Sequence, residues 1–311
     1  MPIPTPRRLT IATRRSALAM WQSEQVRTRL LASHRHLSVD LLGLSTRGDE
    51  VLDRSLADIG GKGLFIKELE VAMSDGRADA AVHSLKDLPM DMPDGFLLAA
   101  VIARDDPRDA LVSNRYATLA ELPPGAVVGT SSLRREAQLR ARFPALSIAP
   151  LRGNVNTRVA KLDAGQYDGI ILAAAGLKRL GMGERIRELI DPEDSMPAAG
   201  QGAMAVETCA DREDVVALCA SLVDHATLLA TAAERSFARA MSATCHAPIG
   251  AYAEWLGASL WLRGVVASAD GREVMRGERD AAVADIREAQ TLGEALGGEF
   301  MSRGAGRLVH A

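Results

Sequence analysis

The chain has 311 residues, 47% of them hydrophobic and 25% charged, a composition that excludes a disordered, collagen-like or coiled-coil protein and suits two or three folded domains. The formal net charge of −3 gives no overall basic field for nucleic acid. Three cysteines, Cys209, Cys219 and Cys245, are too few for a disulfide framework and match no usual zinc spacing.

No apolar run approaches membrane-spanning length, and the opening "MPIPTPRRLTIATRR" does not read as a secretory signal, so a cytoplasmic protein is expected. "RLTIAT" reads as a short strand, followed by a helix over about residues 16–33 and a second strand, "LSVDLLGLS". "DRSLADIGGKGLF" is glycine-rich and polar, and residues 51–61 are expected to form a mobile lid. "FIKELEVAMSDG" reads as a helix closed by Gly76. "ADAAVHS" and "FLLAAVIA" have strand length, and "LKDLPMDMPDG" between them is a loop by its prolines and Asp-Gly. This first stretch is βαβαβ-like and predicts a largely parallel sheet.

"DDPRDALVS" reads as a crossover. "AVVGTSS" is then a strand entering a helix over about residues 132–142, "LSIAPL" a strand, "NVNTRVAKLDAG" a helix and "YDGIILAAAG" a buried strand. "PAAGQGAMAVE" reads as a return crossover ending in a strand. Two α/β lobes joined by two crossovers place a ligand cleft between them, at the carboxyl ends of strands. "REDVVALCASL" and "HATLLATAAERSFARAM" are helical; "IGAYAEWLG", "SLWLRGVVAS" and "EVMRGERD" alternate like antiparallel strands, with "ADGR" as a hairpin turn. Ile286, Ala289, Leu292, Leu296 and Phe300 make one apolar face of a last helix. The expected division is residues 1–103 with 201–222 as lobe one, 104–200 as lobe two, and 223–311 as a small α+β domain.

Arginines gather at the expected strand-to-helix turns. "ATRRS" holds Arg14 and Arg15, "GTSSLRR" Arg134 and Arg135, "LRGNVNTR" Arg152 and Arg158, and "GLKRLG" Lys178 and Arg179. Their neighbours are Gly, Ser, Thr and Asn, which suits a local anion site. An isolated pair such as Arg134 and Arg135 in a first helical turn is more often surface than site. Cys219 in "VVALCASLV" reads as core and Cys209 as a bystander near the surface. Cys245, between Thr244 and His246, stays open as nucleophile, metal ligand, disulfide partner, covalent anchor or none of these. Asp87 reads equally as a charged site residue or as a turn cap before Pro89, and His83 as a structural residue at a strand end.

The stretches "ATRRSALAMWQ", "GGKGLFIKELE", "AVHSLKDLP", "VGTSSLRREAQL", "LRGNVNTRVAKL", "ILAAAGLKRLG", "PAAGQGAMAVE" and "TCHAPIGAYA" occur in that order over nearly the whole chain. Together they resemble the porphobilinogen deaminase family. The resemblance implies three domains, the first two arranged like the lobes of periplasmic binding proteins. It implies a dipyrromethane cofactor bonded through a thioether to Cys245. It implies condensation of four porphobilinogens head to tail with loss of ammonia, then hydrolysis to hydroxymethylbilane.

By the same resemblance Asp87 is the catalytic carboxylate, stabilising positive charge at pyrrole nitrogens and moving protons. Lys86, Thr130, Ser131, Ser132, Arg134, Arg135 and Arg158 are expected to hold the cofactor. Arg14, Ser16, Phe65, Arg152, Arg179 and Gln201 are expected to serve substrate or the growing chain. Each porphobilinogen carries an acetate and a propionate, and arginine forks suit such carboxylates. No metal is expected, and the partner is porphobilinogen, with no nucleic acid, no membrane and a monomeric chain. The family shows Gly-Gly before the anchoring cysteine, whereas Ala243-Thr244 stand here; β-branched Thr244 resists positive φ. Two other classes compete: a two-lobed binding protein for small carboxylates, which leaves Asp87 and Cys245 unexplained, and a nucleic-acid-binding regulator, which the charge disfavours. Incubation with porphobilinogen separates the enzyme from both.

Overall fold

The computed structural model describes residues 6–46, 66–241 and 248–309. The expected lid at residues 51–61, Phe65, Cys245 and the Ala243-Thr244 pair lie outside them. Contacts divide the chain into two units, Met1–Arg104 with Ala203–Leu228, and Asp105–Gly202 with Leu229–Ala311. Elements are numbered below in chain order.

The first unit contains β1 (Arg8–Arg14), α1 (Ala17–Ser33), β2 (Ser38–Leu44), α2 (Lys67–Ser74), β3 (Ala80–Ser84) and β4 (Phe96–Ile102). The chain returns to it for β10 (Met204–Cys209) and α6 (Glu213–Cys219). The sheet order is β2-β1-β3-β10-β4, with β1 parallel to β2 and β3 and the return strand β10 antiparallel to β3 and β4. Ser16 starts α1, its side chain accepting from the Ala19 amide at 3.3 Å. Val26 and Leu30 of α1 pack with Leu9, Ile11, Val82 and Val206 on one face of the sheet. Leu69, Ala72 and Met73 of α2 cover Ala12 and Ala81 on the other. A sheet covered on both faces needs apolar residues at successive positions, which is why "AAV" and "MAV" read as runs rather than as alternation.

The second unit holds β5 (Asp109–Val112), β6 (Val127–Gly129), α3 (Leu133–Arg142), β7 (Ser147–Ala149), α4 (Val155–Asp163), β8 (Gly169–Ala173), α5 (Ala174–Arg179) and β9 (Ile186–Ile190). Their sheet runs β7-β6-β8-β5-β9, with β5 antiparallel to both β8 and β9. The same unit includes most of α7 (His225–Ala240), a three-stranded antiparallel sheet of β11 (Ile249–Leu256), β12 (Ser259–Ala267) and β13 (Val274–Ala282), then α8 (Ile286–Ser302) and α9 (Gly306–Val309). This is the class expected from the sequence: two α/β lobes joined by two crossovers, and a small C-terminal α+β segment. Among the described residues no single helix is long and apolar enough to cross a membrane.

Several local readings are corrected. "DDPRDALVS" contains a strand, β5, because four residues are too short to show alternation. The strand β9 escaped notice because Arg187 and Glu188 interrupt its apolar pattern; it is a sheet edge, where charges are tolerated. Ile286 does not join the apolar face of α8; it is exposed, while Ala289, Leu292, Leu296 and Phe300 are buried. Cys209 is not a surface bystander but packs half-buried against the Ala12–Leu69–Met73 cluster.

Close approach of α8 to α7 rests on glycine. A Cβ on Gly293 would lie 2.2 Å from the Ala233 carbonyl and 2.6 Å from the Ser236 Cβ, whereas one on Gly298 would meet nothing within 4 Å. Gly293→Ala is therefore expected to destabilise by about 1–3 kcal/mol. Gly298→Ala, in the same helix, is expected to be neutral or to stabilise by about 0.5–1 kcal/mol through helix propensity. Denaturant unfolding of the two variants checks this; equal effects would show that the helix contact is not tight.

Candidate functional site

In the first unit the candidate residues gather at the carboxyl ends of neighbouring parallel strands β1 and β3. Arg14 ends β1, and Ser16 is spent on capping α1. After β3 the chain makes a single 3-10 turn, Leu85–Asp87. Leu85 and Leu88 are 0% exposed and fix the turn from within. The Leu85 amide donates to the Ala203 carbonyl at 3.0 Å, and the Leu88 amide to the Leu85 carbonyl at 3.2 Å. Between these anchors Lys86 is half-buried and Asp87 is exposed. Ser84, which precedes the turn, makes no side-chain cap bond to it.

In the second unit three strand-to-helix turns carry the remaining candidates. Thr130, Ser131 and Ser132 link β6 to α3. The Thr130 hydroxyl accepts from the Ser132 amide at 3.2 Å. Ser131 Oγ donates to the Leu151 carbonyl at 2.9 Å and accepts from the Leu151 amide at 3.0 Å, tying this turn to the next one. Arg152 lies half-buried in that next turn. Asn154 caps α4 by accepting from the Thr157 amide at 2.9 Å, and Arg158 Nε donates to the Gly153 carbonyl at 2.7 Å. In α5, Lys178 pairs with Asp106 at 2.8 Å, while Arg179 donates to the Gly202 carbonyl and lies 3.6 Å from Asp105.

Arg134 and Arg135 are not surface arginines. They are 5% and 6% exposed and converge on Asp109, which is 0% exposed. Arg134 Nη1 donates to Asp109 Oδ2 at 2.8 Å and to the Met196 carbonyl, and its Nη2 reaches Oδ1 at 3.3 Å. Arg135 reaches Oδ1 from Nε at 3.0 Å and from Nη2 at 2.7 Å, and its Nη1 donates to the Ile171 carbonyl at 3.1 Å. Ser195 Oγ and Gln201 Nε2 also donate to Asp109, each at 2.9 Å. Burial alone would raise this carboxyl's pKa; the charges and hydrogen bonds of Arg134 and Arg135 outweigh it and hold the carboxyl well below the usual carboxylate range. Burial also lowers the pKa of Arg134, against the pull of Asp109. Sequence reasoning missed Asp109 and Ser195. The available signal was an aspartate opening an apolar run in "DALVS".

The two cysteines within the described residues are poor nucleophiles. Burial pushes the Cys219 thiol up to about 12. Burial, then the charge of Asp211, raises that of Cys209. Neither is a ready thiolate near neutral pH.

Asp109→Asn should leave two buried guanidiniums undercompensated, at a cost of about 3–5 kcal/mol. The sign of its pH dependence follows from the depressed folded pKa. The carboxylate's contribution is full above the unfolded value near ~4 and is lost as pH falls toward the folded one. Acid unfolding followed by circular dichroism should therefore show a steep loss below about pH 4 in the parent that is blunted in Asp109→Asn. A variant as stable as the parent at pH 7 would remove Asp109 from this role.

Known proteins are similar to this chain over its length. The family model described as porphobilinogen deaminase, dipyromethane cofactor binding domain, matches residues 9–217, and that of the porphobilinogen deaminase C-terminal domain matches residues 228–302. The porphobilinogen deaminase of Burkholderia thailandensis is 56% identical over 311 residues, covering 100% of this chain and 94% of that protein. That of Burkholderia vietnamiensis is 56% identical over 308 residues, with 99% and 92% covered. Among solved structures, the methionine binding protein MetQ matches at 13% identity with a TM-score of 0.47, covering 70% of this chain and 90% of that one. On the family models and the full-length identity, the chain belongs to the porphobilinogen deaminase family.

Proposed function

We propose that the chain's catalytic work is divided between an exposed carboxylate at Asp87 and a fixed positive field around Arg134 and Arg135. The chain condenses four porphobilinogen molecules head to tail, releases ammonia and hydrolyses the product to hydroxymethylbilane. It does so on a dipyrromethane cofactor, which when bound supplies the free pyrrole position that takes up the first substrate. The observation that carries the site reading is the charge of the buried cluster: two arginines against one aspartate leave a net +1, since 2 − 1 = 1. A residual buried cation favours an anionic ligand, and each pyrrole unit brings carboxylates.

The residues fit such a group. Of five N–H donors on each guanidinium, Arg134 and Arg135 each spend three on the hydrogen bonds described above. The remaining donors, with the half-buried hydroxyl of Ser132, suit carboxylate oxygens, while Ser131 donates its hydroxyl to the Leu151 carbonyl and holds the turn. Ser132 precedes α3 without a side-chain cap bond, so its hydroxyl and the first helical amides add to this field. Thr130 shapes the turn, and Lys86 and Arg158 complete the set for the cofactor. Arg14, Ser16, Phe65, Arg152, Arg179 and Gln201 serve the incoming substrate or the growing chain. Ser16 and Gln201 act through the backbone they hold, Ser16 at the start of α1 and Gln201 at Pro107 and Asp109. Cys245, in the C-terminal segment 223–311, carries the thioether. The raised thiols of Cys209 and Cys219 support this assignment.

Asp87 is placed for charge work. Its carboxylate balances positive charge at pyrrole nitrogens during bond formation and accepts or returns a proton there. Its turn is held by two buried leucines, so the group is exposed yet positioned. The chain is proposed to act as a cytoplasmic monomer, independent of nucleic acid and membrane.

Intact mass of Cys245→Ser should show no pyrrole adduct, whereas Cys209→Ser and Cys219→Ser keep it. An adduct mapped to either of the latter overturns the assignment. Holo Asp87→Asn, loaded from preformed tetrapyrrole product, should lose elongation by a factor of about a hundred or more while unfolding as the parent does. Near-normal elongation would remove Asp87 from the mechanism. Arg135→Leu should lower the holo fraction and Arg179→Leu should instead raise the substrate concentration needed; equal holo fractions would end that division of labour.

A further inference from the structure

Among the buried titratable groups that these roles leave unused are two in the first unit, under α2. His83 on β3 and Glu207 on β10 are 6% and 0% exposed. His83 Nε2 lies 2.8 Å from Glu207 Oε2, close enough for a charge contact but aligned too poorly for a hydrogen bond. Strand register brings them together. His83 stands opposite Ala205 and Glu207 opposite Ala81, so alternation puts both side chains on the face that α2 covers. Glu70 of α2 meets them there. Burial raises its pKa, the charge of Glu207 raises it further, and His83 and Lys67 lower it.

The surrounding elements add few charges. Lys67 and Glu68 share α2 with Glu70. Arg14 stands two residues beyond Ala12, which pairs with Ala81, and is therefore level with His83 on β1. Cys209 follows Glu207 on the same side of β10. Leu98 and Val101 of β4 are apolar. Neither oxygen of Glu207 has a hydrogen-bond partner among the described residues. A wholly buried carboxylate in that state is costly unless a proton or a cation balances it.

The cluster sits where β3 gives way to the catalytic turn. Ser84 alone separates His83 from Leu85–Asp87, and that turn is tied to the β10 side through the Leu85 amide and the Ala203 carbonyl. The spacing of β3 and β10 at this level thus sets where Asp87 stands. We propose that His83 and Glu207 form a positioning pair whose buried contact keeps β3 against β10 and so holds the Asp87 turn in place. Removing either partner leaves the other buried without its counterpart, and the end of β3 must loosen. The catalytic consequence rests on the Asp87 role proposed above; the positioning itself does not.

The test uses holoenzyme carrying His83→Gln, Glu207→Gln and both together. Hydrogen exchange at the Leu85 and Leu88 amides reads the turn, and elongation kinetics read the chemistry. Each single variant is expected to exchange faster at these amides and to lose kcat several-fold with KM little changed. The double variant places two neutral amides face to face. It should restore slow exchange and most of kcat. Parental exchange in the single variants, or a double variant as impaired as the singles, overturns the proposal. Where a single variant does not fold, the double variant decides: folding with near-parental exchange at these amides upholds the pair, and failure to fold overturns it. Exchange that follows the expected pattern while elongation stays parental upholds the pair and tells instead against Asp87, as holo Asp87→Asn measured alongside then shows.

Discussion

One buried carboxylate governs the second unit. Asp109 opens β5 at 0% exposure and receives Arg134, Arg135, Ser195 and Gln201. They come from three pieces of chain: the start of α3 for both arginines, the loop after β9 for Ser195, and the crossover that leads back to β10 for Gln201. Desolvating an ion is costly, and the attraction to two guanidiniums repays it only where the geometry is satisfied on all sides. Here both oxygens are filled. The result is a fixed positive node at the start of α3, next in sequence to Thr130, Ser131 and Ser132. For the carboxylate binding proposed there, the two long side chains are already ordered. The same logic explains why arginine rather than lysine stands at both positions. A lysine has a single point charge and could not serve an aspartate, a carbonyl and a ligand in one plane.

Much of the fold was legible because its elements obey simple periods. Val26 and Leu30 in α1, and Leu296 and Phe300 in α8, repeat at helical steps and are buried. Strands β11, β12 and β13 alternate and pair in register along their length. The failures have physical causes. β5 is too short for a period, and β9 is a sheet edge whose apolar pattern is broken by exposed Arg187 and by Glu188, which accepts from the Leu119 amide. Ile286 keeps the helical spacing but lies at the first residue of α8, where the end of the helix runs past its core. For the site, residue type and order were legible, since eight stretches fall in sequence. Partners were not. Asp109 lies 25 and 26 residues from the two arginines it neutralises, and nothing local to "LRR" indicates burial. An arginine's exposure is decided by whether an anion waits for it, which only the tertiary structure reveals.

Asp109 and Glu207 make an instructive contrast. Both are wholly buried carboxylates on strands. The first is saturated by donors that are themselves cations or neutral hydroxyl and amide groups. The second has one close ionic neighbour, His83, and an acidic one, Glu70. The first is over-determined by its donors, whereas the second depends on a single close partner.

The proposed roles ask different things of the two units. Carboxylates of the pyrrole units keep their charge throughout the reaction, so a field that never changes suits them. Positive charge at the pyrrole nitrogens appears and vanishes with every added unit, so the group proposed to answer it must be exposed and yet held in position. The turn that carries Asp87 offers both: Leu85 and Leu88 are wholly buried on either side, while Asp87 itself is exposed. Placement by apolar anchors moves the burden of alignment to the strand ends below, where β3 meets β10.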